Sequence, residues 1–308
     1  MKPFMNEGRI PSEGHHDGKL IPCIKGAHRP RLFRLLWSMI ALQVTSLTTG
    51  CVIGMIGDEP IRIGTPEAPF VQEGKRIKAD PVAYLRDLRD RCERMDSYQL
   101  TFYRQERLGL LVRELKPMEE IRARFRRDPF SVKFEWDSPN SEYVESVYVA
   151  GDNNEKLMVR QRKGLLGFPP QILKVSVADP VIWGKAKNAI TDFGLARVTQ
   201  RTLLPFEDPK LAGAMTITYE GLVRLDPTHR PAHYLRIERP PMKGFAYTRQ
   251  DFYVDAETLL PTGTDLWLPS GELDARYRYA NVDADATFDD VAFQLSKAPA
   301  VTHANDQE

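Results

Sequence analysis

Apolar residues recur along this chain in two rhythms. After Asp80-Pro81, Val82, Leu85, Leu88, Cys92 and Met95 fall three and four apart, the single stripe of a helix that buries one face. Asp80 suits its N-cap and Pro81 its first turn. From Ser97 the period drops to two. Tyr98, Leu100 and Phe102 alternate with Gln99, Thr101 and Tyr103, and Phe130, Val132, Phe134 and Trp136 alternate with Ser131, Lys133 and Glu135. Further strands are predicted over 118–125, 142–150, 156–161 and 172–177, then over 215–225, 232–239, 247–254, 260–268 and 272–282. Such alternation belongs to antiparallel strands with one face buried. The intervening Pro, Gly and Asn clusters suit a meander.

Between the two runs of strands, residues 179–211 predict one helix, capped by Thr191, with Leu195, Val198 and Thr202 on one face. Thr287 and Asp290 have capping-box spacing for a short terminal helix. The fold class is therefore α+β: one large curved antiparallel sheet covered by two or three helices. This domain is expected over 80–296, with a polar, loose tail over 297–308.

Upstream the pattern changes. Arg29, Arg31 and Arg34 precede an apolar run from Leu35 to Leu47, and Thr48-Thr49-Gly50-Cys51 follows. A basic patch, an apolar core and small residues before a cysteine make an export signal whose Cys51 would accept a lipid. The apolar stretch also resumes as Val52-Ile53-Gly54-Met55-Ile56, so 35–57 is alternatively long enough for one uncleaved membrane helix of about 20 residues. Its arginines would then remain inside. Residues 1–50 are thus read as n-region and signal or anchor, and 51–79 as a lipidated or membrane-proximal tether. Both schemes place the domain outside the cytoplasm, in the cell envelope or periplasm; a cytoplasmic chain with a misleading N-terminus is the third reading.

Charge narrows the partners. The chain has 43 Lys and Arg against 42 Asp and Glu. Seven of the basic residues but only three of the acidic ones lie in 1–50, leaving a mildly acidic remainder without the basic face that nucleic acid requires. Of Cys23, Cys51 and Cys92, only Cys92 lies in the predicted domain, where it reads as a small buried hydrophobe. With 42% hydrophobic residues, the domain stands on its core rather than on disulfides.

No catalytic constellation emerges. Asp192-Phe193-Gly194 matches the kinase magnesium motif but lacks its companions, and reads as a helix N-terminus. Asp283, Asp285, Thr287 and Asp289 have calcium-loop spacing, but Phe288 and Gln294 stand where Gly and Glu are needed. His229 and His233 flank Pro231 and share no helix face, and His15, His16, Cys23 and His28 match no ligand spacing. No metal, cofactor or enzymatic activity is expected.

Several blocks carry a resemblance: Tyr98-Gln99-Leu100-Thr101-Phe102-Tyr103-Arg104-Gln105-Glu106-Arg107, Arg127-Asp128-Pro129-Phe130-Ser131-Val132, the segment from Val147 to Leu157, and Ile190-Thr191-Asp192-Phe193-Gly194-Leu195. Together, over roughly 80–295, they resemble the bacterial family known as domain of unknown function 1571. Lys187-Asn188-Ala189 departs from the basic residue and proline expected there. The strand order of that family is similar to the lipoprotein-carrier (LolA/LolB-like) fold, which implies a half-barrel closed by helices over a hydrophobic cavity. The family carries no assigned catalytic residues.

Candidate cavity residues are Tyr98, Leu100, Phe102, Phe130, Phe134, Trp136, Tyr219, Phe252 and Trp267, on the apolar strand faces. Arg104, Arg107 and Arg124, within two charge-rich strands, are candidates for an anion or headgroup; the same residues also suit cross-strand ion pairs. The loop 164–170 is a candidate apolar flap. Two functions follow: a membrane-tethered protein that binds an acyl chain or other hydrophobic molecule, or a non-catalytic scaffold with a filled core that presents its sheet to an envelope protein.

Overall fold

The computed structural model describes residues 60–163, 171–240 and 246–296. Cys51 and the export signal, the flap 164–170 and the tail 297–308 lie outside the described residues.

The strands are β1 (Ile61–Arg62), β2 (Ser97–Leu108), β3 (Glu114–Leu115), β4 (Glu119–Arg126), β5 (Ser131–Glu135), β6 (Tyr143–Val149), β7 (Lys156–Gln161), β8 (Ile172–Ser176), β9 (Thr216–Leu225), β10 (Arg230–Glu238), β11 (Arg249–Asp255), β12 (Pro261–Trp267) and β13 (Leu273–Asp283). They form one antiparallel, open sheet in the order β1-β9-β10-β11-β12-β13-β2-β4-β5-β6-β7-β8, with β3 paired to β2. Two meanders are thus joined where β13 lies against β2, Tyr279 opposite Phe102. Both runs of strands were predicted, most bounds within two residues.

Helices α1 (Ala68–Ala79), α2 (Pro81–Glu93) and α4 (Leu195–Glu207) cover one face, and the single-turn α3 (Asp179–Ile182) follows β8. α2 begins as expected: the Asp80 carboxylate accepts the Ala83 N–H at 2.9 Å. Leu85, Leu88 and Cys92 are buried, with Val82 and Met95 packed beside them. Burial pushes the Cys92 thiol up to about 12, so it holds almost no thiolate at neutral pH. A maleimide at pH 7.5 should leave Cys92 unmodified until the protein is unfolded in urea, as read by peptide mass spectrometry.

Three local expectations are corrected. The supposed tether contains α1, whose Ile77 is fully buried in the main core and whose Gly74 faces β9. A Cβ on Gly74 would stand 2.6 Å from the Tyr219 hydroxyl, so any larger residue there would have to displace the Tyr219 ring. The mid-chain helix begins at Leu195, not at Thr191, because Ile190–Asp192 forms a separate 3-10 turn. Its cap comes from across the core: the Tyr98 hydroxyl accepts the Leu195 N–H at 2.9 Å, satisfying one of the donors orphaned at a helix start. The terminal helix is a 3-10 turn, Asp290–Phe293, capped by Asp289 rather than Thr287.

That last turn covers the sheet's other face. Phe293 lies beneath Arg126, and Lys133 Nζ donates to the Gln294 carbonyl at 2.8 Å. Beside it, the buried Glu145 carboxylate accepts from Ser296, Arg160 and Lys133. Burial opposes its ionisation, but these donors outweigh it and hold its carboxyl below the usual range.

Candidate functional site

On the helix-covered face the interior is not filled. A cavity of ≈ 210 Å³ lies between sheet and helices, lined from β11 and β12 (Gln250, Leu266) through β13 and β2 to β7 and β8 (Val159, Leu173). Along the strand order, β11 and β8 are eight spacings apart, about 38 Å in a flat sheet at ~4.8 Å per strand. One cavity touches both, so the sheet curls around it.

The floor is aromatic and aliphatic. Phe102 on β2, Phe134 on β5 and Trp136 beyond it line it together with Leu157, Val159 and Val175. The roof is the segment 180–202, from which Ile190, Phe193 and Val198 point in. Phe193 meets Phe134 edge-on at 4.9 Å and Phe102 at 5.3 Å between ring centroids. Gly194, at φ 134°, ends this turn; a Cβ there would press on Tyr98 and Phe125. The Asp-Phe-Gly motif is therefore part of the cavity roof, where it places the Phe193 ring on the cavity wall.

One wall is polar. Glu106, buried on β2, accepts the Tyr277 hydroxyl at 2.5 Å and the Lys187 backbone N–H at 3.3 Å. Asn188 Nδ2 donates to the Tyr277 oxygen, and Arg201 donates to Asn188 Oδ1 at 2.7 Å. Arg104 stands on the same wall, bonded to Glu119 and 4.0 Å from Glu106. Burial works to lower its pKa, but Glu106 and Glu119 more than offset that and secure the charge. An apolar trough with a few converging polar groups is the usual make-up of a small-molecule pocket.

The candidates named from sequence divide. Phe102, Phe134 and Trp136 line the cavity, as does Arg104. Tyr98, Leu100, Phe130 and Phe252 belong to the surrounding core: Tyr98 stacks on Phe125 at 4.7 Å, and Phe130 meets Phe125 and Tyr148. Tyr219 sits under α1, its hydroxyl 2.9 Å from His233 Nδ1. Trp267 lies on the opposite face, donating to Asp251 at 2.7 Å beneath Arg249. Arg107 and Arg124 also lie off the cavity wall, paired with Glu272 and Glu135 at 3.3 Å. Sequence reasoning missed Phe193, Tyr277, Asn188 and Arg201; Phe193 alone had a signal, in the motif set aside.

His233 is fully buried, and its Nε2 has no hydrogen-bond partner among the described residues. Burial pushes its imidazole down to about 4, against the opposing charge of Asp255. Its stabilising share is complete above pH ~6.5, where the unfolded chain is also neutral, and is lost as pH falls toward 4, because the unfolded state takes the proton first. The loss amounts to ~3 kcal/mol. Urea midpoints at pH 7 and 4.5 should converge when His233→Gln removes this component.

The model of a family described as "Protein of unknown function (DUF1571)" matches residues 95–301. The chain belongs to this family. Among curated proteins, no sequence matches it. Solved structures with similarity include MucB (19% identity, TM-score 0.41), where the alignment covers 71% of this chain and 63% of that one. The lipoprotein LppX of Mycobacterium tuberculosis aligns with 11% identity over 68% of this chain and all of that one, TM-score 0.39. A LolA superfamily protein of Nitrosomonas europaea aligns with 12% identity over 69% and 96%, TM-score 0.30. No helix among the described residues is long and apolar enough to cross a membrane.

Proposed function

We propose that this protein binds the acyl chain of a single-chain amphiphile in the cavity, outside the cytoplasm, while tethered to a membrane through a lipid on Cys51 or the apolar segment 35–57. The observation that carries this is the continuous aromatic and aliphatic trough ending on the Arg104–Glu106–Tyr277–Asn188 wall. Each methylene transferred from water into it contributes about 0.8 kcal/mol. Roughly seven methylenes fill this volume and give ~6 kcal/mol before ordering costs, enough for affinity no tighter than tens of micromolar. The modest volume, below the ~300–1,000 Å³ common for ligand clefts, favours one chain over a two-tailed phospholipid. The polar wall receives the head. The open interior speaks against the filled-core scaffold.

The test is equilibrium titration of the full chain with a dansyl-labelled undecanoic acid. A saturable, one-to-one rise in blue-shifted emission, reversed by unlabelled lauric acid, supports the reading. No saturable signal up to the solubility limit of the probe rejects it.

A further inference from the structure

The cavity's rim carries exposed apolar residues. In the turn of the β2–β3 hairpin, Leu110, Leu111 and Val112 are 73%, 95% and 71% exposed, and on and after α3, Ile182 and Trp183 are 63% and 54% exposed. The two segments touch through glycines. Gly184, at φ 63°, packs so that a Cβ would lie 2.9 Å from the Gly109 carbonyl carbon; at Gly109, φ 140°, a Cβ would collide with the Val112 carbonyl at 1.9 Å. A side chain at Gly184 would push the two segments apart, and one at Gly109 would disrupt the hairpin turn itself.

Two further features indicate what this patch meets. It is continuous with the cavity, since Pro180 and Trp183 also line the cavity's wall. It is also flanked by cations: residues 107–118 and 180–188 contain Arg107, Arg113, Lys116, Lys185 and Lys187, four of them matched by acids and Arg113 left over. Arg107, Lys116 and Lys185 make exposed pairs with Glu272, Glu114 and Glu142, and Lys187 pairs with Asp274. Arg113 forms no ion pair among the described residues and is exposed. Contiguous exposed apolar surface marks an interaction site. A protruding tip of aliphatic side chains, with a tryptophan beside it and cations around it, matches the layered polarity of an anionic bilayer surface. On such a surface aliphatic groups would enter the acyl boundary, Trp would sit at headgroup level, and an unpaired cation such as Arg113 would contribute about 1 kcal/mol near anionic lipid.

We propose that the β2–β3 tip and the α3 segment together dock this domain on an anionic lipid bilayer, holding the cavity mouth against the membrane. The docking surface stands on its own residues; its use for loading the cavity rests on the function proposed above. An acyl chain could then pass from bilayer to cavity along Trp183 without crossing water.

The experiment uses the full chain with Cys23 and Cys51 replaced by Ser, and an environment-sensitive NBD label on Leu111→Cys or, at the opposite end of the strands, on Asp152→Cys. It is mixed with phosphatidylcholine vesicles containing 30% phosphatidylglycerol. The expected result is a several-fold brighter, blue-shifted signal at 111, quenched by lipids carrying a spin label in the acyl chain, with no change at 152. A water-like label at 111, or equal responses at both positions, overturns the proposal; the first would leave a protein as the occupant. A paired variant, Leu110→Asp with Leu111→Asp, should slow transfer of the dansyl fatty acid from vesicles at least tenfold while leaving its affinity in solution unchanged. Unchanged transfer also overturns docking as a loading step. Insertion of the tip without any fatty-acid binding would reject the cavity function and leave the docking surface standing.

Discussion

Replacing Asp265 by alanine lowers the stability of this domain by about 3–5 kcal/mol, the usual effect of removing one partner from a buried ion pair. Asp265 lies fully buried on the sheet face away from the helices. It accepts from Arg278 at 2.6 and 3.0 Å and from Arg276 at 3.2 Å, with the Tyr253 hydroxyl 3.4 Å away. Burial alone would raise its carboxyl pKa, but Arg278 and then Arg276 more than offset that and hold it below the usual range. Alanine would leave the buried Arg278 guanidinium with only the carbonyls of Asp226 and Tyr277. Urea unfolding should show a lower midpoint with an unchanged slope. Glu272→Ala, which breaks the exposed pair with Arg107, should cost less than about 1 kcal/mol. Equal losses in the two variants would mean that the buried network is not the stabilising element.

Phe134→Glu lowers affinity for the dansyl fatty acid about 100-fold or more. The ring stands between Phe102, Trp136 and Phe193. A carboxylate there faces hydrocarbon, and an unpaired buried charge costs several kcal/mol, of which ~3 kcal/mol is already a hundredfold in affinity. Should that variant unfold, Leu173→Trp keeps the cavity apolar and fills part of it. It should weaken binding of the long chain while the unfolding free energy falls by no more than the ~1–3 kcal/mol typical of a small-to-large core change. Normal affinity in a folded Phe134→Glu protein would place the ligand elsewhere.

Much of this architecture is legible in the sequence, for physical reasons that also explain the misses. β2 and β4 bury one face against the core, so period-two alternation names both strand and face. In β11 and β12 both faces are buried, one by the core and one by the Asp251–Asp265–arginine network. Hydrophobicity then cannot distinguish the faces, and Trp267 was assigned to the wrong one. α1 escaped notice because Gly74 occupies a position on its buried face, packed against the Tyr219 ring, and a glycine interrupts the apolar stripe. The cap of α4 comes from Tyr98, ninety-seven residues away in the chain, so no local motif could place that helix start. The cavity's polar wall draws on β2, β13 and the loop before α4, and no spacing in the sequence brings Glu106, Tyr277 and Asn188 together.

The most direct test of acyl-chain binding is native mass spectrometry of the full chain extracted gently from bacterial membranes, beside its Phe134→Glu variant. The expected result is a single added mass of a few hundred daltons at one per protein, identified by fragmentation as a single-chain amphiphile and absent from the variant. Parent protein that emerges without added mass, and gains none after incubation with fatty acids or lysophospholipids, would contradict it.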